Sequence, residues 1–234
     1  MRKKILIAII SIASFAVFFV GWHVYNSVKY DDPDNFANVP VSMKDMNGWK
    51  SYQNEYFGFE IKYPENYFLA QKSDFNSTTN IGHVSFRQGT SSQEGHRTLG
   101  KRIGLHIFRL GPVTGISLGG NFIKVNKDTT VSDIAQQFLE GNKKTLVQRT
   151  CHYRDINGNN TIICIIRAPG EIPSLTGGIF EVFVLGVYEM ENGERILVQM
   201  SNSAGGTPYT GDRTLRLDVL RIFHTYRWKS LKKQ

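Results

Sequence analysis

A serine motif is the first pattern in the sequence that could do chemistry. Residues 115–119 have the sequence GISLG, which matches the G-x-S-x-G nucleophile elbow with Ser117 as the nucleophile. That elbow needs a strand directly before the serine and a helix directly after it, because the sharp turn between them exposes the hydroxyl. The following residues predict no helix before about residue 131, and no HGGG-type oxyanion motif occurs. A flexible glycine loop is the favoured interpretation, and an envelope serine hydrolase using Ser117 is the alternative.

Three other motifs fail at the position that their chemistry requires. The sequence GHRTLGK at 95–101 matches a phosphate loop until Arg102, which replaces the Ser or Thr that would hold magnesium. The acidic DDPD at 31–34 lacks the glycine and distal Glu of a calcium loop. Histidines at positions 23, 83, 96, 106, 152 and 224 form no H-E-x-x-H or close i, i+4 pair, and C-x-x-C is absent. The sequence therefore predicts no catalytic residue, no cofactor and no metal site.

The two cysteines, Cys151 and Cys164, are predicted to form a disulfide. They flank the sequence INGN, in which Asn157 and Gly158 favour a two-residue type I′ turn. Counting outward from that turn places the cysteines directly opposite each other in a non-hydrogen-bonded pair, whose Cα atoms lie about 4.5 Å apart. A bridge would form in an oxidising compartment. The alternative is a pair of small buried hydrophobic residues in one sheet.

The elements that surround these residues predict a mixed architecture. Alternating large apolar residues over 57–63 predict a strand, and further strands are expected around 84–86 and 101–110. Residues 88–98 and 111–120 are predicted loops because they are rich in Ser, Thr and Gly. An apolar stripe then predicts an amphipathic helix, with Thr130 and Asp133 as its capping box and Gly141 at its end; the stripe comprises Val131, Ile134, Ala135, Phe138 and Leu139.

Two hairpins and a final helix complete the predicted fold. The first hairpin joins strands near 146–156 and 161–167, and the second joins strands near 179–190 and 195–202 through ENGE, again with a type I′ turn. A second amphipathic helix is predicted from about Asp212 to Trp228. This order of elements predicts the α+β class: an antiparallel β-sheet packed between helices, preceded by one N-terminal transmembrane helix.

The N-terminus has the composition of a membrane anchor. Eleven of the eighteen residues from Ile5 to Trp22 are Ile, Leu, Phe or Val, and as a helix they would span about 27 Å. The run is longer than a secretory h-region and no good A-x-A cleavage pattern or lipobox cysteine follows it, so an uncleaved anchor is favoured over a signal peptide. Arg2, Lys3 and Lys4 predict that the N-terminus is cytoplasmic and the rest of the chain extracytoplasmic.

The positive charge does not indicate nucleic-acid binding. Of the net charge of +8, three units belong to the N-terminal cluster and four to the C-terminal residues Arg227, Lys229, Lys232 and Lys233. The predicted organisation is therefore as follows: residues 1–4 cytoplasmic basic end, 5–25 transmembrane signal anchor, 26–48 linker, 49–228 folded α+β domain and 229–234 basic tail.

The start of the folded part resembles the PsbP-like domain superfamily, as found in bacterial membrane-anchored extracytoplasmic proteins. The matching positions are Trp49, Tyr52, Asn54, Phe59, Tyr63 and Pro64, with Tyr67 where that family usually has Trp. The resemblance implies an antiparallel sheet between helices and a non-enzymatic role in binding or assembly. Photosynthetic members of the family maintain the surroundings of a metal cluster, and a eukaryotic relative binds a small GTPase. Neither binding site can be transferred to the matching residues of this sequence.

The sequence thus predicts a non-catalytic binding or accessory module of the cell envelope, held in the cell membrane by its N-terminal helix and contacting an envelope protein partner. The alternatives are a bitopic subunit of a secretion or conjugation assembly and the serine hydrolase above. The candidate binding loop, residues 111–127, carries Ile116, Leu118 and Phe122 as a mobile apolar edge. Packing of that loop on the body of the domain is the favoured interpretation of the same residues.

Overall fold

The computed structural model describes residues 14–22, 33–42, 46–55, 57–74, 80–88, 102–111, 114–140, 148–168, 179–202 and 213–228. The chain divides into two compact units, Met1–Pro40 and Val41–Gln234. In the first unit, residues 14–22 form helix α1 and Pro33–Ala37 forms the short helix α2. No helix in the described ranges is both long enough and apolar enough to cross a membrane. Most of the predicted anchor, residues 5–13 and 23–25, lies outside those ranges.

The predicted linker is not uniformly extended. Helix α2 lies within it, and Phe36 and Ala37 of that helix are buried. Pro33 suits the first position of a helix because its φ is already helical and its missing N–H would have no partner there. Downstream, Met46 is also buried. A short helix and buried side chains therefore occur within the range predicted as a linker.

In the part of the second unit that the structure describes, there are twelve strands and two α-helices. The strands are β1 (Lys50–Asn54), β2 (Phe59–Tyr63), β3 (Tyr67–Asp74), β4 (Asn80–Gln88), β5 (Arg102–Arg109), β6 (Thr114–Leu118), β7 (Asn121–Val125), β8 (Gln148–Ile156), β9 (Asn159–Ala168), β10 (Ile179–Glu189), β11 (Arg195–Ser201) and β12 (Arg227–Trp228). The helices are α3 (Val131–Glu140) and α4 (Arg213–His224).

All strand pairs are antiparallel. The main sheet has seven strands in the order β3-β4-β5-β11-β10-β9-β8, a second sheet has the order β1-β2-β12, and β6 pairs with β7. Helix α3 and the β6–β7 hairpin share one hydrophobic cluster with the apolar side chains of β9 and β10. Helix α4 packs on the opposite face, where the ring of Tyr226 lies 5.7 Å from that of Tyr188. The predicted α+β class, with an antiparallel sheet between helices, is confirmed.

The disulfide and the first hairpin turn are confirmed as well. Asn157 and Gly158 have φ of 59° and 78°, as a type I′ turn requires, and Cys151 pairs directly with Cys164. The two cysteines form a disulfide with Cα atoms 4.1 Å apart. The side-chain amide of Asn157 also donates to the carbonyls of His224 and Tyr226 at 3.0 and 3.4 Å. The turn therefore satisfies backbone acceptors at the last residue of helix α4 and just after it.

The strand register of the second hairpin differs by one residue from the predicted register. Strand pairing ends with Glu189 opposite Arg195, so the connection is longer than two residues. Only Gly193 has a positive φ, 79°, and its N–H donates to the carbonyl of Met190 at 2.9 Å. The side chain of Asn192 accepts from the N–H of Glu194 at 2.9 Å. Asn192 itself does not have a positive φ, so the type I′ turn was wrong and a turn with glycine in its last position forms instead.

The final helix is shorter than predicted because the chain returns to a sheet. Thr225 ends it: its hydroxyl donates to the carbonyl of Ile222 at 2.7 Å and accepts from the N–H of Lys62 at 2.7 Å. Arg227 and Trp228 then pair with β2 as strand β12. The predicted capping box of α3 is confirmed, since the Asp133 carboxylate accepts from the N–H of Thr130 at 2.8 Å and the Thr130 hydroxyl accepts from the N–H of Asp133 at 3.2 Å.

One buried hydrogen bond ties α4 to the edge of the main sheet. The hydroxyl of Tyr67 donates to the carboxylate of Asp218 at 2.9 Å, and both side chains are buried. We expect Tyr67→Phe to lower the free energy of unfolding by about 2 kcal/mol, because a buried hydrogen bond to a charged group is lost. Urea unfolding would measure this. Tyr63→Phe is the matched control, and equal effects of the two substitutions would contradict the assignment.

Candidate functional site

One face of the main sheet changes from apolar to polar halfway across. On the strands that α3 and the β6–β7 hairpin cover, this face is hydrophobic. On β4, β5 and β11 the same face carries several polar side chains, although Phe108 of β5 and Leu197 of β11 still belong to the hydrophobic cluster. Two neighbouring rows, followed from β4 through β5, β11 and β10 to β9, are His83, His106, Gln199, Leu185 and Ile162, and Ser85, Gly104, Ser201, Phe183 and Cys164.

We call His83, Ser85, Arg102, His106 and Gln199 the polar cluster. His83 and His106 are directly opposed across β4 and β5, and their rings stack with centroids 4.3 Å apart and planes 20° apart. Ser85 and Gln199 are 0% and 5% exposed, whereas Arg102 is half-buried. Gly104 lies between Ser85 and Ser201 in the second row and contributes no side chain. Its backbone therefore forms the centre of the cluster.

The electrostatic environment of the cluster is positive. Burial, followed by the charges of His83 and Arg102, lowers the pKa of His106 to about 4. Burial and then Arg102 lower the pKa of His83, and burial and then Arg87 lower the pKa of Arg102. Both imidazoles are therefore neutral at pH 7, when each ring has one nitrogen that donates and one that accepts.

Ser85, His106 and Gln199 of the cluster each have a buried polar atom with no hydrogen-bond partner among the described residues. These atoms are the Oγ of Ser85, the Nδ1 of His106 and the Oε1 of Gln199. Burying a polar atom without a partner costs about 1–3 kcal/mol, and native proteins leave few such atoms. A group of them on neighbouring strands is therefore a typical feature of a site that takes up water or a ligand.

The low pKa of His106 predicts a pH dependence of stability. Below pH 6.5 the unfolded chain takes up a proton at this position that the folded chain does not, until the pH approaches the folded value of about 4. This contribution to stability is therefore complete above pH 6.5 and is lost as the pH falls towards 4. We expect a loss of about 2 kcal/mol, because solvent screens part of the roughly 1.4 kcal/mol per pKa unit.

Urea unfolding of the wild type and of His106→Gln at pH 7 and 4.5 would measure this effect. The variant should lose less stability than the wild type over that range. On the opposite face, burial and then Arg154 and Arg227 lower the pKa of His224 to about 4. His224→Gln should therefore remove a different part of the stability loss between pH 7 and 4.5. A wild-type and a His106→Gln protein with the same pH dependence would contradict the assignment.

The candidate binding loop lies elsewhere and has a different structure from its prediction. Most of it is the β6–β7 hairpin, whose turn is formed by Gly119 and Gly120 with φ of 52° and 80°. Ile116 and Leu118 face inward and are buried in the cluster beneath α3. Burial of these two residues agrees with packing of the loop on the body of the domain, because each strand of the hairpin turns alternate residues to the core.

Phe122 of the same hairpin points outward and is 71% exposed. Its ring lies over Gly115, where any Cβ would overlap it. An aromatic ring that covers a glycine on a neighbouring strand shields the exposed backbone, which gives Phe122 a structural reason to be at the surface. A binding role for Phe122 stays a prediction.

Ser117 lies on strand β6 opposite Phe122 of β7. The G-x-S-x-G pattern is therefore part of a strand in a hairpin and not of a strand-to-helix elbow, so nothing in this turn forces the hydroxyl into the strained position of a nucleophile. Within the described ranges, no three His, Cys, Asp or Glu side chains converge as ligands for a metal ion.

Sequence reasoning missed the polar cluster. A signal was present, because His83-x-Ser85-x-Arg87 and Arg102-x-Gly104-x-His106 place polar or small residues at alternate positions in otherwise apolar strands. An alternating strand normally turns its polar side to solvent. Burial of that side is what the pattern could not indicate.

Comparisons with known proteins do not show which family the chain belongs to. No protein-family model and no curated protein sequence matches it. Among solved structures, it is similar to the cyanobacterial PsbP protein CyanoP of Synechocystis sp. PCC 6803, with 13% identity, 82% of this chain and 98% of that chain covered, and a TM-score of 0.43. It is also similar to a protein of Bacteroides thetaiotaomicron, with 11% identity, 79% and 49% coverage, and a TM-score of 0.35. The α+β architecture is consistent with the predicted PsbP-like fold, and these matches assign neither a function nor a site residue.

Proposed function

We propose that this protein is a membrane-anchored, extracytoplasmic binding module of the cell envelope and that the polar cluster is its ligand site. The observation that carries the binding role is the group of buried polar atoms without a described partner on Ser85, His106 and Gln199. A module that only needed stability would gain by filling these positions with apolar side chains, as it does on β9 and β10.

Helix α1 supports the proposed anchor. Its large apolar side chains are exposed on all sides, from Phe15 at 69% to Trp22 at 57%, with Val17, Phe18, Phe19 and Val20 between these values or slightly above them. A helix that is apolar on all sides is stable in lipid or in a protein core, because exposure of this surface to water is unfavourable. The apolar residues 5–13 precede it in the sequence, and a basic start completes the pattern of a signal anchor.

The disulfide supports the proposed compartment. Structural disulfides form and persist outside the reducing cytoplasm. The two cysteines of the chain are joined in this bond. A folded unit on the outer side of the membrane is the arrangement that accounts for the bond and for the basic N-terminus together.

A non-catalytic role is the simplest chemical interpretation of the cluster. A nucleophile requires an adjacent base that activates it and a third group that orients the base. Ser85 has no described hydrogen-bond partner for its hydroxyl, whereas a triad serine would be bonded to its histidine. We therefore assign the cluster to binding.

Topology can be tested by labelling single introduced cysteines, since the natural pair is already oxidised. Ser51 is exposed on β1, and Lys4 lies in the predicted cytoplasmic end. In intact cells, a membrane-impermeant maleimide should label Ser51→Cys and should label Lys4→Cys only after permeabilisation. The chain should also stay in the membrane pellet after carbonate extraction. Labelling of position 51 only in lysed cells, or release by carbonate, would refute the proposed location.

The site can be tested by recovering the full-length chain from crosslinked membranes and identifying what is bound to it by mass spectrometry. The wild type and Phe122→Ala should capture the same envelope component, and His106→Ala should capture much less. The opposite result would move the site to the β6–β7 hairpin. Equal capture by all three proteins would contradict a role for the polar cluster.

A further inference from the structure

Strand β8 forms one edge of the main sheet. One side of it pairs with β9 over Gln148–Ile156, whereas no described strand pairs with its other side. The Cα atoms of Cys151 and Cys164 are 4.1 Å apart, which is the short spacing of a non-hydrogen-bonded pair. Residues in such pairs turn their N–H and C=O groups away from the partner strand, and they alternate along β8. Cys151, Tyr153 and Asp155 therefore direct their backbone groups to the open edge.

These outward backbone groups have no hydrogen-bond partner in the described part of the chain. The local bonds of Tyr153 and Asp155 use side chains: the Tyr153 hydroxyl lies 3.1 Å from that of Ser132, and the Asp155 carboxylate accepts from the N–H of Gly158 at 2.8 Å. Cys151 contributes its side chain to the disulfide. Three alternate residues thus present unpaired donors and acceptors, which is the template that an added strand uses.

Strand β8 lacks two features that commonly keep a sheet edge from pairing. Proline and bulges protect many edge strands. Strand β3, at the other edge, has a register shift between Leu69 and Gln71. Strand β8 contains no proline, and its register with β9 has no shift. The disulfide also fastens the middle of β8 to β9, so the edge is ordered before it binds and the entropic cost of association is lower.

A second copy of the same strand fits this edge. In an antiparallel pair, the outward groups of one strand must meet outward groups of the other. When Tyr153 lies opposite Tyr153 of the second copy, Cys151 lies opposite Asp155 in both directions, so each of the three residues meets another of the three. Such a symmetric register is what a two-fold dimer requires. Of the charged residues of β8, Arg149 is buried, and the charges of Arg154 and Asp155 have opposite signs and cancel.

Tyr153 places an aromatic contact at the centre of this pairing. Its side chain is 62% exposed, and among the large hydrophobic side chains described in the second unit only that of Phe122 is more exposed. Directly opposed residues of an antiparallel pair lie on the same face, so the two copies of Tyr153 would cover each other. Directly opposed aromatic residues stabilise antiparallel strands.

We propose that two copies of this chain pair antiparallel through β8, with Tyr153 at the two-fold axis, so that their main sheets join into one continuous sheet. The polar cluster lies on β4, β5 and β11, away from this edge. Dimerisation and ligand binding are therefore separate properties, and each can fail without the other.

Charge substitutions at position 153 test the pairing. Two differently tagged copies of the full-length chain are expressed together, and detergent-solubilised membranes are purified through one tag. Wild-type copies should co-purify. Tyr153→Lys with itself, and Tyr153→Glu with itself, should co-purify about fivefold less, because like charges are then directly opposed. A Tyr153→Lys copy with a Tyr153→Glu copy should recover the wild-type level, which a change in folding alone cannot produce.

Tyr153→Pro tests the contribution of the backbone. Position 153 directs its N–H outwards, so proline removes a donor of the dimer and none of the hydrogen bonds to β9. Co-purification should be lost in this variant, whereas Tyr153→Ala, which keeps the N–H, should retain part of it. Urea unfolding shows whether the proline variant has kept its fold. If it has not, the pair of charge variants decides.

A cysteine crosslink tests the register. The Cα atoms of a directly opposed hydrogen-bonded pair are about 5.5 Å apart, within the range of a disulfide. Tyr153→Cys should therefore give a disulfide-linked dimer in oxidised membranes, and peptide mapping should find the bond between the two copies of position 153. Gln148→Cys is the control, since Gln148 is exposed on the same strand. Its two copies would lie about 34 Å apart in this register and should not crosslink.

The proposal is overturned if wild-type copies do not co-purify, if the lysine and glutamate variants do not recover each other, or if the two cysteine variants crosslink equally. Attachment of Tyr153→Cys to a different polypeptide would assign the edge to a strand of another protein and would overturn the proposal as well.

Discussion

Phe138→Ala is expected to lower the free energy of unfolding by about 3–5 kcal/mol, because it removes the ring that anchors helix α3 to the main sheet. Phe138 is fully buried, and its ring lies 6.2 Å from that of Phe183 on β10 in an edge-to-face arrangement. The guanidinium of Arg149 lies 5.7 Å from the centre of the same ring. The substitution therefore leaves a cavity and also removes the aromatic partner of a buried cation.

Leu139→Ala is the matched control for this prediction. Leu139 is the next residue of α3 and is 37% exposed, so alanine costs little packing and is a better helix former. Urea unfolding of both variants should give a loss below about 1 kcal/mol for the control. Similar losses for the two variants would mean that α3 does not pack on the sheet through Phe138.

Replacing both cysteines with alanine is the second substitution with a large expected effect. The disulfide closes a loop with a sequence separation of 13 between Cys151 and Cys164. In the chain-entropy model, a crosslink of about this length contributes about 3 kcal/mol by restricting the unfolded chain. The double variant should lose about that amount in urea unfolding, and a thiol titration of the unfolded, unreduced wild type should find no free thiol.

A reducing agent provides the internal control. It should destabilise the wild type to about the level of the double variant and should leave the double variant unchanged. If both proteins responded to reduction alike, the loss could not be assigned to this bond. If the double variant were as stable as the oxidised wild type, the bond would not stabilise the fold.

These two contributions also position the polar cluster. Phe183 and Cys164 occupy the same row as Ser85 and Gly104, two and three strands further along the sheet than Gly104. Helix α3 and the disulfide order the apolar half of this face, and the polar half continues from it without a break in strand pairing. Substitutions in the apolar half should therefore change stability without removing the chemical groups of the site.

Local sequence determined the elements whose partners lie a few residues apart. The turn at Asn157 and Gly158 sets the register of its hairpin, and the register alone places Cys151 opposite Cys164. The capping box of α3 involves residues three positions apart. Alternation in β2 is likewise a local pattern, which the burial of Phe59, Ile61 and Tyr63 follows. In each case the relevant energies depend on backbone conformation and nearest neighbours.

Other features depended on contacts between distant residues. The glycine-rich stretch expected as a loop is the β6–β7 hairpin, because Ile116 and Leu118 find a core beneath α3. The last predicted turn of α4 is strand β12, because Trp228 pairs with Phe59 and the Thr225 hydroxyl bonds to the backbone of β2. Contacts with residues far away in the sequence offset the helical hydrogen bonds that are lost. No local sequence pattern contains those contacts.

The sequence by itself determined the α+β class, the disulfide and the apolar N-terminal run, because composition, turn residues and period-two or period-3.6 patterns are local properties. Only the tertiary structure decided that His83, His106 and Gln199 stand side by side on one buried face. These residues come from three strands and are brought together by the order of strands in the sheet. Since the free energy that selects this order is spread over the whole core, the candidate site could not be located from any single stretch of the chain.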